Sequence, residues 1–291
     1  GLTNDSNFIN SNDFESNRKI LNVNMQNSYA TNRLFKSYIN QNWILSSSKN
    51  DSTILNIKKI SFNNSFQRSN RVYFDSLNPG LFLNNFYSTE STHDSLLLDI
   101  FNSSIRYNII SNKDSIIQNL NIGWDSEILS YKNKLIDTIL TNQSLSLDYS
   151  KSKINNSFRF GGNFYPLGYK KNNYEINFLY ESFILKDKKF KISGDLSEFR
   201  PVFEINNYQS NHHFWDNKQF NNILFWNASA EISSGLFSLK SQINQAYRPI
   251  YFSEYSEPSQ FDSSLQVIQS SLNYNLIKKK YNLLTEIVYQ Y

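Results

Sequence analysis

The sequence contains no cysteine among its 291 residues. This absence excludes disulfide frameworks and thiolate metal sites, and it is compatible with an envelope compartment. Long hydrophobic runs are missing as well, since apolar patches such as residues 96–98 span only a few positions. A membrane helix needs about 20 consecutive apolar residues. Any membrane role would therefore have to be played by β-strands.

The sequence also lacks a large excess of positive or negative charge. The formal net charge is +4, and both signs are scattered evenly along the chain. Nothing resembles the basic stripe of a nucleic-acid-binding protein, so no nucleic-acid partner is expected. Hydrophobic residues make up 39% and charged residues 19%, and both shares are below those usual for a soluble globule.

The remaining composition is rich in Asn, Ser and aromatic residues, with 23 Phe and 19 Tyr. Tyr and Phe favour strands, whereas Asn and Ser favour turns or a hydrated strand face. So many aromatic residues argue against disorder. The composition therefore indicates β structure.

Apolar and polar residues alternate most clearly between residues 173 and 232. Successive side chains of a strand point to opposite faces, so each such run predicts a ribbon with one apolar and one polar face. In the first of these runs the two sets are Tyr174, Ile176, Phe178 and Tyr180 against Glu175, Asn177 and Glu181.

Similar runs recur along the chain and predict about twelve strands. Many of them reach the ~9–11 residues with which a tilted strand crosses a bilayer. Short connections (186–188, 233–235 and 278–280) are interleaved with long ones (72–97, 207–218 and 248–260), which is the arrangement of outer-membrane barrels. The sequence predicts an all-β fold, an antiparallel up-and-down transmembrane β-barrel over residues 33–291, after a polar lead-in or loop over residues 1–32.

A soluble β-sandwich is the alternative, because it also has one apolar and one solvated face per strand. In that case the protein would be a secreted or surface domain, such as an adhesin, that binds a ligand with its long loops. Aromatic residues near the predicted strand ends suit the interfacial girdles of a barrel, although they also suit ordinary core or cross-strand packing. They are Trp124, Tyr149, Tyr174, Trp215, Tyr247 and Tyr289.

If the chain forms a barrel, its polar faces line the pore. Charged side chains facing lipid would cost roughly 2–4 kcal/mol at the middle of the membrane, so they are expected to point inward. Their mixed signs argue against strong anion or cation selectivity. The predicted pore-lining residues are Lys59, Arg106, Asp125, Glu127, Asp148, Arg159, Glu175, Asn177, Glu181, Lys191, Asp195, Asn227 and Glu231.

No arrangement of catalytic or metal-binding residues is apparent. His212 and His213 are adjacent, so on a strand they would point to opposite faces, and a surface or interfacial role is expected. His93 and Asp94 lie in a stretch that looks like a loop. Gly161 and Gly162 lack a phosphate-binding motif and predict a bulge or bend. We therefore expect no enzyme activity, no metal and no cofactor.

Two segments resemble the putative porins of Bacteroidetes. They are residues 207–217, with the sequence NYQSNHHFWDN followed by an alternating strand, and residues 89–102, with an acidic and Leu-rich entry into a strand. The layout of long Asn- and Tyr-rich strands is similar over most of residues 53–291. The resemblance implies a barrel in the bacterial outer membrane that contacts lipid and allows passive diffusion of small solutes. It implies no catalytic residue.

The predicted positions of the two termini bear on whether this chain forms a whole barrel or part of one. Outer-membrane barrels usually keep both termini beside the short turns, but here the turns at 46–52 and 278–280 place them on the opposite side. This predicts either a miscounted strand or an internal piece of a larger barrel. Tyr281, Leu283, Ile287, Tyr289 and Tyr291 nevertheless resemble a C-terminal insertion signal. The polar start at Gly1 predicts a mature form or an excised piece.

Overall fold

The computed structural model describes residues 28–50, 54–76, 85–113, 115–185, 188–216, 219–253, 257–278 and 281–290. These residues are almost entirely β-strand, with one short helix, α1 (Phe203–Asn206). The strands are β1 (Ser28–Asn50), β2 (Ile54–Asp75), β3 (Thr92–Lys113), β4 (Ile116–Asn133), β5 (Asp137–Lys153), β6 (Asn156–Gly168), β7 (Tyr174–Leu185), β8 (Lys188–Phe199), β9 (Tyr208–Gln209), β10 (Phe214–Trp215), β11 (Ile223–Ser234), β12 (Phe237–Tyr247), β13 (Ile250–Phe252), β14 (Pro258–Gln260), β15 (Ser264–Lys278) and β16 (Tyr281–Gln290).

Twelve of these strands form a single antiparallel sheet. Its order is β1-β2-β3-β4-β5-β6-β7-β8-β11-β12-β15-β16, so each strand pairs with its neighbours along the chain. The pairs β9–β10 and β13–β14 form two small ribbons within long connections. The predicted all-β, up-and-down architecture of about twelve strands is confirmed. Among the described residues β1 and β16 are the edges of the sheet, which is not closed into a barrel but is compatible with one.

The two ends of the sheet differ in how the strands are joined. At one end, called the turn end, the connections are short: 51–53, 114–115, 154–155, 186–187, 235–236 and 279–280. At the other end, called the loop end, the connections are 76–91, 134–136, 169–173, 200–222 and 248–263. The predicted alternation of short turns and longer loops is therefore present. That the chain is a piece of a larger barrel stays a prediction.

Several strands are longer than the sequence pattern predicted. β1 begins at Ser28 and continues through the turn expected from residue 46, and most of the predicted lead-in lies outside the described residues. The break predicted at 72–97 is also shorter, because β2 reaches Asp75 and β3 starts at Thr92. The ends of β1 and β2 pair in regular register, and Tyr29 stacks on Phe74 at 5.2 Å between ring centroids. Backbone pairing thus holds these ends although their alternation is weak.

Burial on the two faces of the sheet is the inverse of that in a soluble protein. On the apolar face Ile105 is 48% exposed, whereas on the polar face Asn142 is 3% exposed. Among the described residues the buried hydrophobic side chains are Tyr131 and Trp215 alone, and both lie at the loop end. A large exposed apolar surface marks contact with a membrane or a partner.

The apolar face is bounded by charges on β2. Ile60, Phe62 and Phe66 lie between Lys58 and Arg68, and Arg68 forms an ion pair of 2.7 Å with Asp99 of β3. At about 3.3 Å per residue the stretch from Lys58 to Arg68 is about 33 Å long, and a strand tilt of about 40° reduces its height to about 25 Å. This matches the apolar band of outer-membrane barrels.

The band is not uniformly apolar, and it crosses the sheet obliquely. Asn64 and its neighbour Ser103 also face outward at this level. Ile105 lies in the middle of β3. Successive cross-strand pairs connect it through the intervening strands to Tyr247, which is the last residue of β12. Such stagger accompanies strands that tilt within a barrel wall. In the part of the chain that the structure describes, no helix is long and apolar enough to cross a membrane.

Candidate functional site

The polar face of the sheet extends across nine neighbouring strands from β2 to β12, and an unbroken row of paired residues crosses all nine. Lys59 pairs with Asn108, Asn121 pairs with Asp148, and the same row continues to Asn227. Because residues directly opposite in a sheet share a face, this register fixes which side each residue occupies. Every residue predicted from the sequence to line a pore lies on this polar face. Their pore-lining role stays a prediction.

Arg106 is the centre of a charge cluster on this face. Its guanidinium lies 2.8 Å from Oδ1 of Asp125 and 3.8 Å from Oδ2 of Asp148. The side chains of Arg106 and Asp125 are 29% and 26% exposed, so the pair is partly shielded from water. One cation is thus held between carboxylates of two neighbouring strands.

Three other acidic residues of the polar face, Glu127, Glu181 and Asp195, also have partners. Nζ of Lys170 and Nδ2 of Asn142 both donate to Oε1 of Glu127, at 2.9 and 2.7 Å. Nζ of Lys189 lies 2.9 Å from Oε1 of Glu181. Nδ2 of Asn227 donates to Asp195 at 2.9 Å.

Because opposite charges lie next to each other on the polar face, their electrostatic potentials largely cancel.

Between these pairs the face offers free acceptor atoms. The side-chain oxygens of Asn119, Asn121 and Ser146 are buried, and none has a hydrogen-bond partner within the described residues. Buried polar atoms are normally satisfied by protein or water. The lack of a side chain at Gly161 leaves space here. A Cβ at this position would lie 2.8 Å from Oδ1 of Asp148, which is too close. Ordered water is the usual partner of such buried oxygens.

The loop end of the polar face is covered by residues 201–216, which we call the capping segment. It contains α1 and the ribbon of β9 and β10. The segment contacts residues of β3 and β4 that point to the polar side, including Asp94 and Asn133. It therefore folds over the inner side of the sheet.

Asn211 is the main hydrogen-bonding residue of the capping segment. Its backbone N–H donates to the carboxylate of Asp94 at 3.0 Å. Its Oδ1 accepts from the backbone N–H groups of Tyr87 and Ser88, each at 2.9 Å, and its Nδ2 donates to Thr92 Oγ1 at 2.9 Å. One asparagine thus joins the capping segment both to β3 and to the preceding loop.

Aromatic residues fill the space beneath the capping segment. Trp215 stacks on Tyr208 with ring centroids 4.9 Å apart, and its Nε1 donates to the carbonyl of Glu204 at 3.0 Å. Phe203 of α1 packs edge-on against Tyr131 at 5.1 Å. This is the only region where the described residues bury large aromatic rings, so it is a small core that fixes the segment in place.

Three sequence-based expectations are wrong in this region. His212 is buried, not exposed at the surface, and its Nε2 lies 2.6 Å from Thr92 Oγ1. Trp215 belongs to the small core and not to an interfacial girdle. His93 lies within β3 and not in a loop. The long connection at 207–218 was recognised from the sequence, but nothing in its pattern indicated which face it would cover.

The expected bulge at Gly161 and Gly162 is also absent, because both glycines pair in regular register with Asp148 and Leu147. The irregularity in this strand pair falls instead between Gln143 and Leu145.

Titratable groups of the capping segment are affected by its burial. Burial lowers the pKa of His213 below the ordinary value of 6.5, and the neighbouring His212 acts in the same direction, whereas Asp94 opposes them. Burial likewise raises the pKa of the hydroxyl of Tyr169, which lies outside the segment and accepts a hydrogen bond from Asn206 within it. Within the described residues, no group of three or more His, Asp or Glu side chains is placed to hold a metal ion.

Comparison with known protein families gives a match over the chain. A protein-family model described as putative porin covers residues 1–291. No curated protein matches the chain. The family match agrees with the resemblance found in the two sequence segments, and it extends that resemblance to the whole chain.

Proposed function

Because the chain belongs to the putative porin family, we propose that it forms a pathway for passive diffusion of small solutes across the bacterial outer membrane. In this proposal the exposed apolar face contacts lipid. The polar face lines an aqueous pathway, and the capping segment narrows that pathway at the loop end.

The inverse burial of the two faces is the observation that carries the proposal. Apolar side chains such as Ile105 are exposed, while amides and hydroxyls such as Asn142 and Ser144 are buried. A soluble β-sandwich would bury its apolar faces between two packed sheets, but the large strands described here form one sheet. In lipid, by contrast, an outward apolar band and an inward polar face are the stable arrangement.

The proposed partners are therefore outer-membrane lipid and small solutes, with no nucleic acid. We propose no catalytic role, because the paired charges of the polar face resemble a hydrated wall and His212, the histidine beside the Thr92 hydroxyl, is buried beneath the capping segment. The mixed charges, such as Arg106 between Asp125 and Asp148, support weak ionic selectivity.

The test is to express the chain with a secretion signal and to separate the membranes. The proposal predicts that it fractionates with the outer membrane, migrates heat-modifiably on a gel, and conducts ions after reconstitution into planar bilayers. A chain that stays soluble and monomeric without detergent would contradict the proposal and favour a surface domain that binds ligands with its loops.

A further inference from the structure

A cavity of about 330 Å³ opens on the polar face between β1 and β6. Its wall includes Asn63, Asn102, Asn142 and Ser144. Its volume lies at the lower end of the range of small-molecule sites, about 300–1,000 Å³. The cavity is therefore large enough for a small organic solute.

The wall is rich in groups that both donate and accept hydrogen bonds. An amide offers two N–H donors and one oxygen acceptor, and a serine hydroxyl offers both functions. Asn102 Nδ2 lies 3.5 Å from Ser65 Oγ, and Asn63 Nδ2 donates to Ser104 Oγ at 3.1 Å. Each contact involves only one N–H of its asparagine, so the second N–H and the amide oxygen can bond to a ligand with several hydroxyl groups.

The carboxylates at the cavity already have cationic partners. Asp125 is paired with Arg106, and Glu127 accepts from Lys170. A charged solute would have to compete with these pairs, whereas a neutral solute would use the lone pairs that remain. The cavity thus favours a neutral ligand.

Two tyrosines complete the lining, Tyr38 on β1 and Tyr165 on β6. Tyr38 is 76% exposed, and Tyr165 lies where β6 departs from regular pairing with β5. An aromatic ring provides an apolar face together with a polar hydroxyl. Sugar rings have the complementary surface, because their C–H groups form an apolar face and their hydroxyl groups lie at the edge.

We propose that this cavity binds a neutral polyhydroxylated solute, a sugar or short oligosaccharide, as it moves along the polar face. The tyrosine rings pack against the sugar, and the asparagine and serine side chains bond to its hydroxyl groups. This inference rests on the proposed function, because it names the class of solute that the pathway carries.

The test uses maltotriose as the probe and two independent measurements on the full chain. One is the block of ionic current by added maltotriose in planar bilayers. The other is saturation-transfer NMR of maltotriose with the protein in detergent micelles, which does not depend on conductance. Tyr165→Ala and Asn102→Ala are expected to raise the half-blocking and half-saturating concentrations about tenfold, which corresponds to about 1.4 kcal/mol of binding.

The matched control is Asn70→Ala, since Asn70 lies on the outward face of β2 and outside the cavity. It should leave both concentrations unchanged, and heat-modifiable migration identifies variants that still fold.

A conducting protein that maltotriose neither blocks nor contacts overturns the inference and leaves the proposed function intact. Saturation transfer without any conductance supports the cavity as a sugar site and overturns the pathway. Equal weakening by Asn102→Ala and Asn70→Ala also overturns the assignment to this cavity.

Discussion

At the scale of single residues, Asn211 joins three parts of the loop end. The Asn211→Ala variant leaves the N–H groups of Tyr87 and Ser88 and the hydroxyl of Thr92 without this partner. Each buried polar group left unsatisfied costs about 1–3 kcal/mol. We expect amide hydrogen exchange in residues 85–91 to accelerate by about ten- to a hundredfold, since 1.4 kcal/mol corresponds to a factor of ten.

The control is Asn221→Ala in the same connection, because the bonds of Asn221 to Gln260 use its backbone. Unchanged exchange in the Asn211→Ala variant would show that the capping segment is held by other contacts.

The lowered pKa of His213 predicts that the stability of the capping segment decreases in acid. Its pKa is lowered by burial, so below 6.5 the unfolded segment binds a proton more readily than the folded one. The stability due to neutral His213 is therefore complete above pH 6.5 and is lost as the pH falls through the window between 6.5 and the lowered value. We expect protection of the Tyr87 and Ser88 amides, corrected for intrinsic exchange, to decrease in that window.

His213→Gln should remove this decrease, whereas His93→Gln, on the outward side of β3, should retain it. A decrease that persists in His213→Gln would assign the acid response to another group, such as the carboxylate of Asp94.

At the residue scale the sequence allowed only part of the site to be predicted. The polar-face residues were identified because period-two alternation assigns a side to each residue without knowledge of the fold. His212 and Trp215 were misplaced because their burial depends on contacts with Thr92 and Tyr208, and the partners of a long loop leave no periodic signal.

At the scale of the element, β2 defines where the apolar band begins and ends. Phe62 lies at its middle and Val72 lies beyond Arg68, and both point outward. We expect Phe62→Arg to lower the free energy of unfolding in lipid vesicles by about 2–4 kcal/mol, and Val72→Arg by about 0–1 kcal/mol. Denaturant titration in vesicles measures both values.

Equal costs at the two positions would show that the band does not lie between Lys58 and Arg68.

The lengths of the strands were harder to predict than their faces. Alternation ends near the limits of the apolar band, whereas backbone pairing continues beyond it, as the contact of Tyr29 with Phe74 shows. The sequence pattern therefore indicates the part of a strand that has two different environments, and the remainder follows only from its neighbours.

At the scale of the whole molecule, the charges on the polar face set its response to ions. Arg106→Gln removes the cation between Asp125 and Asp148 and leaves two carboxylates without it. We expect the reversal potential in a salt gradient to shift towards cation selectivity. Arg68→Gln is the matched control, because Arg68 pairs with Asp99 on the outward face.

A shift of equal size in both variants would contradict the assignment of Arg106 to the pathway.

The central claim is that water contacts one face of the sheet and lipid contacts the other. The absence of cysteine allows a direct test, since each introduced cysteine is the only thiol in the chain. Asn177 and Phe178 are neighbours on β7 and point to opposite faces. In reconstituted vesicles we predict that Asn177→Cys reacts with a charged, water-soluble maleimide and that Phe178→Cys reacts only with a lipid-soluble one. Equal reaction of both variants with the charged reagent would contradict the account.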